Sequence, residues 1–286
     1  MTALRIGVIG VGAVGSSFAF QLARAGHDVT VVARGRRLAQ VQHDRAIVTS
    51  AGERAPVDAR ETLDPAVEFD LVLVTVLASQ VDALLPVLGA SAARTVMFMF
   101  NHFGPLDCLR EAVGAARFAF GFPAVLARLE DGKLTSQFYG SGIRTTVTDS
   151  GWARVFNEAG VRSVVHHDME AWLNAHVAFM VPLMMAAAIA HQRGGGVPWR
   201  RAKELARALD EGFRLVRELG YAITPAPIAV LSRMPLAART LFLWTMSRLD
   251  SIRNIGAAGT GEARALIDAM TAVAPRKTPA LLAIRP

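Results

Sequence analysis

Cysteine and lysine are nearly missing from this 286-residue chain. Its one cysteine, Cys108, excludes an intramolecular disulfide and suits a reducing compartment. Lysine stands only at 133, 203 and 277, so arginine carries nearly all of the net charge of +7. That charge is spread along the chain, and aromatics make up only 7%, so no basic-aromatic block points to nucleic acid. No apolar run reaches the roughly 20 residues a membrane span needs. The longest, 175–190, is interrupted by Pro182 and reads as a buried helix. No leader precedes the first strand, so a cytoplasmic protein is expected. His166-His167-Asp168 lacks a third and fourth ligand at zinc spacing, so no metal is expected. There is no internal repeat and no low-complexity tract.

What is present is a chain 52% hydrophobic and 19% charged, long enough for two ordinary domains. Its first 34 residues organise the rest. Arg5-Ile-Gly-Val-Ile9 is a short strand rich in β-branched residues. Gly10-Val11-Gly12-Ala13-Val14-Gly15 follows at once, then a helical stretch to Ala25, a stop at Gly26, and a second strand over 28–33. Strand, G-x-G-x-x-G, helix, strand is the layout of a dinucleotide-binding βαβ unit. Gly10 allows a tight turn, Gly12 lets backbone approach a pyrophosphate, Gly15 lets helix and strand pack closely, and the N–H groups of the helix start bind phosphate. The residue after the second strand selects the cofactor. An acidic group there would accept from the ribose 2′-hydroxyl of NADH. Arg34-Gly-Arg36-Arg37 instead suits the 2′-phosphate of NADPH.

Strands alternating with helices continue to about residue 120. Residues 69–76 and 95–100 are continuous apolar runs, as in parallel strands covered on both faces. Short strands fall at 46–49 and around Val57, and helices at 79–88 and from 105 to about 113. Stretches 124–129, 133–139 and 143–148, with a Glu-Asp-Gly turn at 130–132, read as antiparallel strands extending the sheet. A helix over 150–159 and a strand over 161–166 follow. From Asp168, an N-cap, the pattern is helical: 168–192, then from Pro198 at N1 to Gly220, then 226–233, 235–250 and 261–273. The expected fold is α/β. A doubly wound Rossmann sheet with an antiparallel extension spans 1–167, and an all-helical domain spans 168–286. The apolar helix 168–192 offers a subunit contact, hence a homodimer through the helical domain.

This layout resembles the ketopantoate reductase (2-dehydropantoate 2-reductase) family, NADPH-dependent enzymes with a 6-phosphogluconate-dehydrogenase-like plan. The resemblance rests on Gly10 to Gly15, Arg34, Leu73-Val74-Thr75 with Gln80-Val81, and Asn101-His102-Phe103-Gly104 where the family has Asn-Gly-x-Gly. Ser247 to Ile252, Gly261-Glu262 and the closing residues 275–286 match in layout. The resemblance implies reduction of a 2-oxo acid. It also implies cofactor contacts at the glycine turn, Arg34, Gln80 and Asn101, Glu262 holding the substrate, and Ser247 at its carboxylate.

The family places its proton-donating lysine two residues after a tryptophan. Here Trp172 is followed by Leu173 and Asn174, and the family's other site lysine is Leu77. Asn174 can donate a hydrogen bond but no proton. His176 lies about 200° further round the helix. His102, beside the nicotinamide end, titrates in a useful range; His166, His167 and His191 are further candidates. Polar family positions become Ala178 and Val181 or Pro182, so the pocket is expected to be apolar. The reading is an NADPH-dependent reductase of a 2-oxo acid or other carbonyl, other than ketopantoate, with Glu262, Asn174, His176 and His102 as catalytic candidates. The alternatives are an NADPH-binding sensor with little catalysis, and an opine-type dehydrogenase with a His–Asp dyad acting on an imine.

Overall fold

The computed structural model describes residues 2–139 and 142–286. The chain divides into two compact units, one of residues 1–100 with 106–169, the other of residues 101–105 with 170–286. The short segment after the fifth parallel strand therefore belongs with the helices, against the expected division at 167/168.

The first unit is built on β1 (Arg5–Ile9), α1 (Ala13–Arg24), β2 (Asp28–Val32), α2 (Gly35–Asp44), β3 (Ala46–Val48), β4 (Arg54–Pro56), β5 (Asp58–Arg60) and β6 (Leu71–Val74). It continues with α3 (Leu85–Ala90), β7 (Val96–Met99), α4 (Asp107–Val113), β8 (Phe118–Phe122), β9 (Val125–Glu130), β10 (Lys133–Phe138), β11 (Thr145–Val147), α5 (Ser150–Glu158) and β12 (Ser163–Val165). Eight strands form one sheet in the order β12-β11-β8-β7-β6-β1-β2-β5. All neighbours are parallel except β11 against β8. The chain leaves β1 for β2 on one side and later crosses to β6 on the other, so a topological switch point lies at β1 and β6. In such sheets ligands bind at the carboxyl ends of the strands there. Every residue of β6 and β7 is buried, which is why these strands read as unbroken apolar runs.

Two expectations are corrected. β9 and β10 do not extend the main sheet; they pair with each other, bridge to Thr49 through Leu134, and pack on α1. Their burial alternates along β9, and a strand with one apolar face cannot occupy an interior covered on both sides. The helix expected over 79–88 is a 3-10 turn at Ala78–Gln80 followed by α3, because Pro86 opens a helix rather than sitting inside one.

The second unit comprises α6 (Met169–Arg193, its first residue lying in the first unit), α7 (Trp199–Glu218), α8 (Ala226–Arg233), α9 (Leu236–Met246), α10 (Asp250–Ile255), α11 (Gly261–Ala272) and α12 (Pro279–Ala283). α9 and α10 replace the single helix expected over 235–250, and Pro198 caps α7 from outside instead of occupying its first turn. α7 buries Ala202, Leu205, Ala206, Leu209, Phe213 and Val216, a helical stripe at three- and four-residue spacing. Gly212 brings α7 against α6 and α11; a Cβ there would lie 3.2 Å from Ala178 Cβ and Met270 Cε. α6 is long and apolar enough to cross a membrane by composition, but 72% of its most apolar window is buried inside the protein. The apolar face from which a subunit contact was expected is thus largely used within the chain.

Candidate functional site

The carboxyl ends of β1 and β6 build a phosphate-binding turn. Gly10 has φ +91°, and a Cβ there would lie 2.6 Å from Val76 Cγ1. Only glycine meets both demands. The Thr75 hydroxyl, at the end of β6, donates to the Gly10 carbonyl at 2.8 Å and fixes the turn. A Cβ on Gly15 would lie 2.3 Å from the Gly10 carbonyl oxygen and 2.4 Å from Thr75 Oγ1, so this glycine lets α1 sit on the strand end. Gly12, by contrast, faces open space, with nothing within 4 Å of an added Cβ. It is the N-cap of α1, and no side chain caps that helix. The first-turn N–H groups, including those of Ala13 and Val14, are then available to an anion, with Gly10 and Val11 shaping the approach. These residues fit a dinucleotide pyrophosphate. The Gln80 side chain accepts from Leu77 N at 3.2 Å and closes the 3-10 turn after β6, leaving Leu77 55% exposed at that strand's carboxyl end.

The three arginines after β2 separate. Arg34 is exposed in extended backbone just before α2, and its side chain meets no partner among the described residues. Arg37, one turn into the helix, is half-buried and bonded to the glycine turn itself. Sequence reasoning took all three as one basic cluster. The helix start at Gly35 is the signal that splits them, since each further residue turns about 100°.

In the second unit, Asn101 and Glu262, 161 positions apart, meet: Asn101 Nδ2 donates to Glu262 Oε1 at 2.8 Å. Asn101 Oδ1 is buried and has no partner among the described residues. Glu262 is exposed in the first turn of α11, where the helix dipole favours its charge. His102 follows Asn101, with Nε2 3.1 Å from the Pro105 carbonyl. Burial pushes its pKa below the usual histidine value, opposed in part by that hydrogen bond and by the charge of Glu170. Tyr221 donates to Glu170 Oε2 at 3.4 Å.

Three residues named from the sequence are engaged elsewhere. Asn174 is fully buried; its Oδ1 accepts from Gly104 N at 2.8 Å and its Nδ2 donates to the Glu170 carbonyl at 2.8 Å. It latches segment 101–105 to α6. His176 stacks on Trp172 at 4.7 Å, and desolvation pushes its pKa down to about 3, so near neutral pH the ring is uncharged and is not an imidazolium acid. Ser247 is fully buried, donating to the Trp244 carbonyl at 2.8 Å and accepting from Val197 N at 3.0 Å. Its hydroxyl ties α9 to the start of α7, and the role at a carboxylate is corrected accordingly. His167 and His191 are exposed, and His166 sits past the edge strand β12. Among the described residues no group of three or more His, Cys, Asp or Glu is placed to hold a metal. A cavity of about 690 Å³ lined by His27, Arg45 and Asp58 contains none of these residues.

Residues 6–143 match the family model described as ketopantoate reductase PanE/ApbA. This stretch, just under half of the chain, is similar to the ketopantoate reductase family. It is 34% identical over 134 residues to the 2-dehydropantoate 2-reductase of Vibrio cholerae, covering 46% of this chain and 41% of that one. It is 30% identical over 109 residues to the Bacillus subtilis enzyme of the same name, covering 38% and 36%. The matched stretches thus span about two fifths of these curated relatives. Among solved structures, the fold matches a 2-dehydropantoate 2-reductase from Geobacter metallireducens with TM-score 0.75, 18% identity and coverage of 99% and 98%. It matches a D-mandelate dehydrogenase solved with NADH and anilino(oxo)acetate with TM-score 0.70, 14% identity and coverage of 99% and 96%. Against these structures the likeness in fold extends over the whole chain.

Proposed function

We propose that this protein is an NADPH-dependent reductase of a 2-oxo acid whose substituent is larger and less polar than that of ketopantoate. The observation that carries this reading is the Asn101–Glu262 pair, a polar constellation assembled from distant parts of the chain in a protein that also builds a phosphate turn. NADPH, when bound, supplies the hydride. The glycine turn holds its pyrophosphate and Arg34 pairs with its 2′-phosphate. Asn101 and Glu262 hold the substrate by hydrogen bonds, and His102 delivers the proton that completes the hydroxyl. Leu77, exposed where the family carries a lysine, supports an apolar substituent. So does the relative named D-mandelate dehydrogenase, solved with a substituted 2-oxo acid.

The test is NADPH oxidation with a panel of 2-oxo acids bearing aliphatic and aromatic groups, ketopantoate included. Turnover of an apolar member well above ketopantoate is expected. Glu262→Gln should raise KM by about tenfold, the worth of one charge-assisted hydrogen bond. Preference for ketopantoate would overturn the substrate assignment. The sensor reading is favoured by one observation, the locked Asn174 in the lysine's place. Tight NADPH binding without turnover of any carbonyl would establish it.

A further inference from the structure

We propose that Arg37 sets the shape of the phosphate-binding turn through that turn's own backbone, and takes no part in reading the 2′-phosphate. Its Nε donates to the Val11 carbonyl at 3.2 Å and its Nη2 to Ser16 Oγ at 2.9 Å. Its Nη1 donates to the Gly132 carbonyl at 2.9 Å and to Gln40 Oε1 at 3.1 Å. A guanidinium has five N–H groups in a fixed fork. With four hydrogen bonds already made inside the protein, it has no free pair for a bidentate phosphate contact. Arg34 has its whole fork available.

The grip on Val11 has a consequence for Gly12. In a trans peptide the carbonyl of one residue and the N–H of the next point in opposite directions. Holding the Val11 carbonyl toward Arg37 therefore aims the Gly12 N–H away from Arg37, out of the turn. The Ser16 hydroxyl reinforces this by donating to the same carbonyl at 3.3 Å. Burial draws the Arg37 pKa down, yet an arginine keeps its charge at any working pH, so the turn also gains a fixed positive neighbour.

The same side chain links the turn to the β9–β10 hairpin, more than 90 residues on in the chain. The hairpin tip is an Asp-Gly turn with φ +48° at Asp131 and +75° at Gly132. Gln40 donates to the Asp131 carbonyl at 3.2 Å. A Cβ on Gly132 would fall 1.8 Å from the Gln40 amide and displace that side chain, and φ +75° favours glycine at the tip. The separate hairpin thus acts as an anchor for the arginine that shapes the cofactor turn.

This inference rests on the dinucleotide reading, and the experiment separates the two. Dissociation constants are measured for NADPH, NADH and adenosine 2′-monophosphate, which lacks the 5′-phosphate the turn would hold. Arg37→Ala should weaken NADPH and NADH by one common factor of about ten or more and leave adenosine 2′-monophosphate unchanged. Arg37→Lys keeps the charge but not the fork and should behave like the alanine variant. Gly132→Ala should weaken both dinucleotides by a smaller common factor. Arg34→Ala should give the opposite pattern, losing NADPH and adenosine 2′-monophosphate but not NADH. A loss confined to NADPH in Arg37→Ala, no loss at all, or loss of all three ligands would each overturn the proposal. Failure of the wild-type protein to bind any dinucleotide would overturn the cofactor reading itself.

Discussion

At Gly12 an added side chain meets nothing within 4 Å, while at Gly15 it meets the Gly10 carbonyl and the Thr75 hydroxyl. The two glycines of one motif therefore answer to different demands. Gly12→Val should leave Tm unchanged and abolish dinucleotide binding, because the branched side chain fills the place of the phosphates. Gly15→Ala should cost about 1–3 kcal/mol through overpacking, which lowers Tm by about 2–4 °C per kcal/mol in a chain of this size. Thermal melts with NADPH titrations on both variants check this. His176 carries a separate consequence. Burial holds its folded pKa at about 3, below the ordinary histidine value of 6.5, so the unfolded chain binds the extra proton between those values. Stability from this group is complete above pH 6.5 and declines as pH falls, by at most about 1.4 kcal/mol per unit. His27 and His102 are shifted in the same direction. Urea unfolding at pH 7 and 5 should show the decline, and His176→Gln should reduce it; an unchanged slope would contradict the assignment.

The elements differ in how openly the sequence declares them. β6 and β7 are covered on both faces, which leaves short unbroken apolar runs, too short for a buried helix such as α6. The glycine turn is legible for a similar reason, since a positive φ and a close approach admit one residue type. The hairpin was legible as a hairpin but not in its place: a period of two says that one face is covered, not by what. The polar residues of the helical unit were least legible. The resemblance sets Asn174 in the place of a lysine, and residue type alone cannot tell an amide facing substrate from one spent on the backbone of a neighbouring segment. Its geometry decides for the latch. Asn174→Ala should leave Gly104 N–H buried without its acceptor and destabilise the protein by about 1–3 kcal/mol, seen as a lowered urea midpoint. A variant of unchanged stability whose turnover alone fell would return Asn174 to the catalytic set. Arg37 escaped for a related reason, since three arginines within four residues look alike until the helix start turns them apart.

For the molecule as a whole, one unit carries a glycine turn that fits a pyrophosphate, and the other is built of helices. The glycines and Thr75 form a turn shaped for phosphate, and Arg34 stands exposed at the end of β2. In the second unit Ser247 is spent on packing, and Asn101, Glu262 and His102 are the polar groups that the proposed function assigns to the substrate. A proton donor with a depressed pKa makes reduction fall as pH rises through that pKa. His102→Gln should remove this limb and lower kcat by about 100-fold, the usual worth of a positioned acid. A retained limb in the variant would assign the proton to another group. The most direct test of the central claim is a fluorescence titration with NADPH and NADH, followed in the same cuvette by additions of 2-oxo acids. Tight, NADPH-selective binding that Arg34→Ala abolishes, with NADPH consumed on an apolar 2-oxo acid, is the expected result. Absence of NADPH binding, or equal affinity for NADH untouched by Arg34→Ala, would contradict it.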